Sequence, residues 1–510
     1  MKETTPTLNR RNHDLKIVWL LCILATLHIF IFSAAFPFDN NMDEAQHFDL
    51  VVRYAHGDLP RGLETMGEES SKYFLTFGSP EYTSPPGSFT NGIYPTPFWL
   101  HRVGTPEEKT LRAAAYVQAS KSWGIVKKLP KWTNYESSEQ PLYYIIAGAW
   151  WNLGEAIGLD GLHLLYWLRF LNILFVLSAV VVASIAAKLA FPENKFIQFS
   201  VPAIIAFLPQ FSFYSIENDV ASPLAIGIVL IALIKFWRAE IPDPRCGIFL
   251  GSAMAASFLV KLSNAPMLAV AGAIVFWKLF QIARNAKLRA AIPSFIAWFL
   301  CAAIPVGAWL AWTKYAFGDF TGTAAKLQFI TWTPKPFLQW WHHPIFSPAG
   351  IWTFLSETLV MFWQGDLHWA GSLFDRPFPD AIYVLLSISF VSLALLQLRR
   401  ATPQQRPVLF WSLAFLAANA AFFIYLSIRY DFGICPYPSK EHPFFVAGRL
   451  ILGMLIPFLL LFQFGMHSLL RDLKTWIQFA ALGAFLLFML ISEIVTDWPV
   501  FHSQYNWYHM

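Results

Sequence analysis

The stretch Leu15–Phe36, LKIVWLLCILATLHIFIFSAAF, decides the fold of this sequence. A membrane-crossing helix needs about 20 apolar residues, because the hydrocarbon core is roughly 30 Å thick and a helix rises 1.5 Å per residue. The run is too long for the apolar part of a signal peptide, so we expect a retained anchor. Arg10, Arg11 and Lys16 lie at its start and predict a cytoplasmic N-terminus at 1–14.

The composition extends this interpretation to the whole chain. Of 510 residues, 56% are hydrophobic and only 14% are charged, against roughly 45–50% and 25% in soluble proteins. This charge cannot cover several soluble domains. The 17% aromatic content, with 22 Trp, is typical of membrane interfaces. A net charge of +5 is too small to indicate a nucleic-acid partner. We predict an all-α polytopic membrane protein.

Long apolar runs recur after the first one. They lie at Leu162–Phe191, Phe196–Tyr214, Ala221–Trp237, Ala290–Trp312, Ala381–Leu398, Val408–Ile428, Val446–Phe464 and Thr475–Ile494, with a shorter pair at Gly247–Leu262 and Ala265–Phe280. Lys and Arg flank alternate short turns, which the positive-inside rule places in the cytoplasm. Pro141–Ile157 would reverse this order if it spanned, so we expect it to lie in, or dip into, the outer leaflet. The sequence then predicts about eleven spans with an external C-terminus.

This topology divides the chain into seven segments. They are a cytoplasmic N-terminus (1–14), the first transmembrane helix (15–36), an external loop with juxtamembrane helices (37–161), a transmembrane core (162–312), a Trp-rich external loop (313–380), C-terminal transmembrane helices (381–494) and an external tail (495–510).

An acidic cluster, FDNNMDEAQHFD at 38–49, follows the first span directly. On a helix starting at Asp43, the side chains of Asp43, Glu44 and His47 share one face, and Asp39–Asn41 would cap its start. Adjacent carboxylates can raise each other's pKa, which suits a general base. A carboxylate–His face also suits a divalent metal. The ordinary alternative is a solvated acidic helix start.

Two further polar motifs are placed on the same side. Glu139 precedes Pro141 at the start of an apolar helix, where a negative charge is favoured. The turn at 209–219 ends in Asn218 and Asp219. Both patterns also occur as plain helix starts and turns, but the shared external assignment favours a common site.

Ionisable residues in or beside the spans are functional candidates by default. Lys261 and Asn264 lie at the tip of the short helix pair, where Lys261 can meet a lipid-borne phosphate or snorkel to the surface. Arg169 and Arg449 are similar, and Gly448 leaves room beside Arg449. For each Arg, a structural ion pair competes with ligand binding.

In this order, the motifs resemble those of the GT-C membrane glycosyltransferases, which include protein O-mannosyltransferases and lipid A aminoarabinose transferases. The later motifs look closer to an uncharacterised bacterial branch of that group. The matching features are Asp43-Glu44 after a span, Glu139-x-Pro141, the Arg169 span, the Pro209–Asp219 turn, Lys261 in a hairpin, Tyr315-x-x-Gly318-Asp319 and Gly448-Arg449.

The resemblance implies sugar transfer from a polyprenyl-phosphate-linked donor on the external face of a bacterial plasma (inner) membrane. Asp43 matches the catalytic base and Glu44 the second carboxylate. The implied substrate-binding residues are His47, Glu139, Asn218, Asp219, Lys261 and Arg449. His47 and Glu139 are also the candidate ligands for a divalent metal (Mg, Mn or Zn). The aminoarabinose branch has Lys where this chain has Gln140.

The resemblance leaves the acceptor to the external loops, because the chain lacks the large C-terminal domain of oligosaccharyltransferases. We therefore expect a cell-envelope glycan or lipid acceptor, with membrane lipids as the surroundings. Two other classes stay open. One is a transporter or flippase of a lipid-linked or small polar substrate, although the acids cluster outside rather than at midplane. The other is a non-catalytic envelope-assembly protein.

Overall fold

The computed structural model describes residues 6–39, 43–82, 84–97, 99–100, 105–107, 110, 132–365, 367–373, 376–433, 435 and 437–509. Within them the fold is all-α, as predicted. Nine helical segments are long and apolar enough to cross a membrane, and two shorter apolar helices accompany them. The nine are Asp14–Ala35, Gly161–Ala190, Asn218–Arg238, Leu262–Arg284, Leu288–Phe317, Pro377–Arg400, Gln405–Arg429, Gly448–Leu470 and Thr475–Thr496.

The described α-helices are numbered in chain order. They are α1 (Pro6–Ala35), α2 (Glu44–Ala55), α3 (Glu68–Phe77), α4 (Pro141–Ala156), α5 (Gly161–Ala190), α6 (Lys195–Ala206), α7 (Ser222–Arg238), α8 (Pro244–Val260), α9 (Ala265–Arg284), α10 (Leu288–Phe317), α11 (Thr323–Phe329), α12 (Pro348–Gln364), α13 (Pro377–Gln397), α14 (Gln405–Arg429), α15 (Leu455–Leu470), α16 (Thr475–Thr496) and α17 (Trp498–Phe501). Four two-residue strands form two antiparallel ribbons: β1 (Thr333–Pro334) with β4 (Tyr430–Asp431), and β2 (His368–Trp369) with β3 (Ser372–Leu373).

Two predicted runs differ from the helices that form. The apolar run at 196–214 predicts one long span, but α6 has 12 residues and ends at Ala206. Pro209 prevents its continuation, because proline disfavours helical backbone in the residue before it, and a 3₁₀ turn follows at Phe211–Phe213. Conversely, α9 is 20 residues long and is counted among the full-length helices.

Helix α4 has the short length expected of a juxtamembrane helix. Its 16 residues give about 24 Å, less than the hydrocarbon core. It packs on α2, where Gly148 lies so close to the backbone that a Cβ would be 2.8 Å from the Ala55 nitrogen. Trp150 stacks on Trp167 of α5 with ring centroids 4.2 Å apart. These contacts hold the segment before α4 against the spans.

Helix α12 lies inside the Trp-rich loop and was not predicted as a separate element. It packs against the 3₁₀ segment Gly448–Met454, which leads into α15. A Cβ at Gly448 would lie 2.2 Å from the backbone nitrogen of Phe362. Only glycine permits this approach, which fixes the position of the neighbouring Arg449.

The C-terminal segment docks onto the first long loop. Ser503 and Ser79 donate hydrogen bonds to Glu81, with Ser79 Oγ at 3.0 Å from Glu81 Oε2. The Tyr508 hydroxyl donates to the Ile31 carbonyl at 2.9 Å. The C-terminal segment therefore contacts both α1 and the loop that follows α1.

Glu81→Gln is expected to stabilise the protein at pH 8 and to have little effect at pH 4. Burial raises the pKa of Glu81 from 4.5 to about 7. The free energy of unfolding of the wild type is therefore highest, as far as Glu81 is concerned, below about pH 4.5. It falls as the pH rises from 4.5 to 7, because Glu81 loses its proton in the unfolded chain first. At pH 8 the free energy of unfolding of Glu81→Gln should exceed that of the wild type by up to about 3 kcal/mol. Thermal unfolding at several pH values measures it, with the exposed Glu107→Gln as the control. An unchanged pH profile would refute the prediction.

Candidate active site

Asp43 lies at the junction between the membrane helix α1 and the surface helix α2. It is the N-cap of α2 in the left-handed conformation, with φ 67° and ψ 2°, and its side chain caps no backbone amide. Asp43, rather than the predicted Asp39, occupies the N-cap position, and the Asp39 amide donates to Glu44 Oε2 at 2.9 Å. Asn40 and Asn41 lie outside the described residues. The Asp43 carboxylate is thus directed away from the helix end.

Glu44 is fully buried in an ion pair with Arg169. Arg169 Nε donates to Oε1 at 2.9 Å and Nη2 donates to Oε2 at 2.7 Å. The Ile216 amide donates to Oε1 at 3.0 Å. Arg169 also donates to the Phe36 and Pro37 carbonyls at the end of the first span. Both carboxylate oxygens of Glu44 therefore accept hydrogen bonds. Through them Glu44 connects α2 with α5 and with the 209–219 turn.

The Asp43 carboxylate has different partners. Arg449 Nη2 donates to Oδ2 at 2.6 Å, and the Tyr135 hydroxyl donates to Oδ1. Burial opposes its ionisation, but Arg449 and Tyr135 outweigh burial and lower the pKa of Asp43 to about 2. The expectation that the adjacent acids raise the pKa of Asp43 is therefore wrong, because a guanidinium compensates each carboxylate separately. Asp43 is ionised at neutral pH.

Arg449 bridges two carboxylates. Its Nη1 donates to Glu217 Oε2 at 2.7 Å, while Nη2 holds Asp43. Burial raises the pKa of Glu217 to about 7 despite this contact. Glu217 belongs to the 209–219 motif but is not among the predicted site residues.

Lys261 joins the helix-pair tip to the same turn. Its Nζ donates to Asp219 Oδ2 at 2.6 Å and to Asn218 Oδ1 at 2.8 Å. Asn218 Nδ2 donates in turn to Glu139 Oε2 at 2.8 Å. Gln140 Oε1 accepts from the Leu262 amide at 2.7 Å, which fixes the tip. Lys261 is only 5% exposed, so it is inserted in the site rather than snorkelling to the surface.

A second lysine, Lys326 on α11, is not among the predicted site residues and lies at the edge of the site. Lys326 donates to both oxygens of Glu136, at 2.7 and 2.5 Å, and lies 4.0 Å from Glu139 Oε1. Burial raises the pKa of Glu136 to about 7 even with this partner. Asp319 oxygens accept from the Thr321 and Ala324 amides and so shape the turn before Lys326. The Tyr315–Asp319 motif, which directly precedes α11, is the sequence feature that could have indicated a site residue in this region.

His47 lies beside the charged groups and is neutral. Its Nδ1 is 2.6 Å from the Tyr144 hydroxyl, and the two rings stack. Burial, followed by the charge of Lys261, lowers the pKa of His47 to about 3. Among the described residues, no three His, Cys, Asp or Glu side chains are grouped to hold a metal ion. The predicted metal ligands His47 and Glu139 therefore have no third His, Cys, Asp or Glu positioned with them to hold a metal ion in the described part of the chain.

The assembled site is acidic overall but holds three buried or half-buried cations. Each cation contacts an acid, and Asp219 Oδ1 is buried without a hydrogen-bond partner among the described atoms. An anionic group entering the site can take over a cation from its carboxylate. The acids are Asp43, Glu136, Glu139, Glu217 and Asp219, and the cations are Lys261, Lys326 and Arg449.

Comparisons with known proteins gave structural similarity only. No family model and no curated protein matches the sequence. The fold is similar to the oligosaccharyltransferase of Archaeoglobus fulgidus in the apo form, with a TM-score of 0.41 and 11% identity over 96% of this chain and 56% of that one. For that enzyme in complex with Zn and sulfate, the values are 0.41, 12%, 94% and 53%. The chain thus spans little more than half the length of both structures.

Proposed function

We propose that this protein is a membrane glycosyltransferase. It transfers a sugar from a polyprenyl-phosphate-linked donor to a cell-envelope glycan or lipid on the external face. The supporting observation is the convergence of the residues selected by the motif resemblance. Arg449 contacts Asp43 across 406 positions of the chain, and Lys261, Asn218 and Glu139 form a connected network. Glu217, next to Asn218, links the two groups through Arg449.

In the proposed reaction, Asp43 is the general base. The acceptor hydroxyl oxygen forms a bond to the sugar C1 while the bond from C1 to the phosphate oxygen breaks. The bonding electrons leave with the phosphate, and Asp43 takes the hydroxyl proton. This role requires an ionised carboxylate within hydrogen-bond reach. Displacement of Arg449 from Asp43 towards the phosphate would also make Asp43 a stronger base at the moment of transfer.

The leaving phosphate is stabilised by cations already in the site. Lys261 and Arg449 can rotate from their carboxylates to a phosphate oxygen, and the guanidinium suits bidentate contact. Preorganised charges of this kind stabilise the charge that develops in the transition state. Glu44 has no free oxygen for substrate, so we assign it a positioning role through Arg169 and α2.

Lys261→Met is expected to lower kcat/KM for the donor about 100-fold, because one charge facing the leaving phosphate is lost. Lys261→Arg should recover part of the activity. Lys278→Met is the matched control, since Lys278 lies at the other end of α9 and donates to the Trp237 carbonyl. The effect is measured as kcat/KM of sugar transfer from a series of polyprenyl-phosphate donors that differ in their sugar. Wild-type kcat/KM in Lys261→Met would remove Lys261 from donor binding.

The proposed orientation places the site outside. A cysteine at Gly87, where added side-chain atoms meet nothing within 4 Å, should react with an impermeant maleimide from the external side. A cysteine at Asp472, whose side chain is 88% exposed, should react only after the membrane is opened. Both variants are made in a background lacking the four native cysteines. The reverse labelling pattern would overturn the topology and with it the external site.

A transporter or flippase remains the alternative class, with a non-catalytic assembly protein as the third. The distinguishing experiment supplies purified protein with synthetic polyprenyl-phosphate sugars, and parallel proteoliposomes with labelled donor on one side. Sugar transfer that depends on Asp43 supports the proposed enzyme. Flux without transfer supports the transporter.

A further inference from the structure

A pocket of about 390 Å³ lies in the Trp-rich loop region, apart from the Asp43 site. It is built where the β1–β4 ribbon meets the loop at 437–443. Its lining shares no residue with the acid and cation cluster around Asp43. The lining residues are Lys335, Gln339, His342, His343, Pro344, Asp431, Phe432, Lys440 and Pro443.

Lys335 lines the pocket and is held there by hydrogen bonds of its backbone. The Lys335 amide donates to the Arg429 carbonyl at 2.7 Å, and its own carbonyl accepts from Trp340 Nε1 at 3.1 Å. Within the described residues, the nearby Asp431 carboxylate forms its ion pair with Lys440 rather than with Lys335. Burial lowers the pKa of Lys335, with Asp431 opposing the shift. A bound anion would compensate this charge.

Lys440 provides a second cation from the opposite loop. Its Nζ is 4.0 Å from Asp431 Oδ1, and that oxygen already accepts from the Gly433 amide at 3.0 Å. The loop is fixed to α12 by His442 Nε2, which lies 2.7 Å from Glu357 Oε2. The pocket therefore presents two lysines against a single carboxylate.

His343 forms the wall rather than a ligand contact. Its Nδ1 accepts from the Ile345 amide at 3.0 Å and its Nε2 donates to the Pro443 carbonyl at 2.9 Å. Burial lowers the pKa of His343, which matches this neutral tautomer. His343 thus joins the two loops that carry the lysines, and Lys335 and Lys440 provide the positive charge of the pocket.

The 3₁₀ segment Phe337–His342, which lies between Lys335 and His343, carries an exposed apolar edge. In the 3₁₀ segment Phe337–His342, Gln339 and His342 face the pocket, whereas Phe337 is 59%, Leu338 78% and Trp341 62% exposed. Exposed aromatic and aliphatic side chains beside a basic pocket are typical of a membrane interface, where lipid phosphates lie.

We propose that this pocket binds a phosphate group, through Lys335 and Lys440, from an anionic lipid whose chains contact the Phe337–Trp341 edge. The proposal does not depend on the glycosyltransferase activity. It assigns a second anion site at the rim of the protein, with the pocket recognising the phosphate and the exposed edge recognising its lipid surroundings.

The test uses the full-length protein in nanodiscs and Lys335→Ala/Lys440→Ala. Quenching of Trp fluorescence by brominated phosphatidylglycerol is compared with quenching by brominated phosphatidylcholine, and glycerol phosphate is titrated separately in detergent. We expect at least a fivefold preference for phosphatidylglycerol that the double variant loses. Lys72→Ala/Lys314→Ala removes two lysines outside the pocket and should keep it.

Three outcomes decide the proposal. A preference for phosphatidylglycerol that depends on the two lysines supports a lipid phosphate. Lysine-dependent binding of glycerol phosphate without any lipid preference supports the phosphate site but assigns it a soluble source. Equal behaviour of the double variant and wild type in both arms overturns the site, provided that thermal unfolding shows both proteins folded.

Discussion

Asp43→Asn is expected to reduce sugar transfer by about 10² to 10⁴, the range for loss of a general base. Asparagine has the same shape and tolerates the left-handed backbone at this position, so the change removes basicity with little disturbance of α2. Arg449 keeps its second partner, Glu217, at 2.7 Å. Initial rates with saturating donor measure the loss.

Two controls separate this effect from damage to the fold. Asp472→Asn changes an exposed acid and should retain the wild-type rate, since its side chain is 88% exposed. Asp43→Asn should also unfold near the wild-type temperature. Robust transfer by a folded Asp43→Asn protein would remove Asp43 from the mechanism.

Arg169→Met is expected to destabilise the protein by about 3–5 kcal/mol, the usual cost of leaving one member of a buried ion pair alone. Glu44 and Arg169 are both almost fully buried, with side-chain exposures of 0% and 1%. The loss of contacts to the Phe36 and Pro37 carbonyls adds to the effect. Denaturant titration in mild detergent measures the free energy of unfolding.

A double variant tests whether the pair itself is responsible. Glu44→Gln/Arg169→Met leaves no isolated charge and should recover a large part of the stability lost in Arg169→Met. Glu68→Gln, in the exposed pair with Lys72, should leave unfolding unchanged. If the double variant is no more stable than Arg169→Met, the cost comes from packing rather than from the buried charge of Glu44.

The spans could be predicted from sequence because apolar length is a local property that lipid enforces. The first span, predicted at 15–36, ends at Ala35 in the structure, and the later long runs form helices close to the predicted bounds. The prediction of one span at 196–214 was wrong because it rested on apolar content, which does not reflect the effect of Pro209 on the backbone. Hydrophobicity alone does not show where a helix stops.

The candidate site was only partly predictable. Asp43, Lys261 and Arg449 could be selected as charges in or beside apolar segments, which is costly without a function or a partner. Which acid pairs with which cation depends on contacts between distant segments. Sequence could therefore not separate Glu44, fixed by Arg169, from Asp43, nor identify Lys326, whose partner Glu136 lies 190 positions away.

The most direct test of the proposed function is sugar transfer by the purified wild-type protein from a polyprenyl-phosphate donor labelled in its sugar. Transferred label and released polyprenyl phosphate are counted in the same sample. The proposed function predicts equal amounts of both, rising with time and at least about 100-fold slower in Asp43→Asn. Intact donor with every sugar and acceptor tried, together with movement of labelled donor across proteoliposomes, would contradict it.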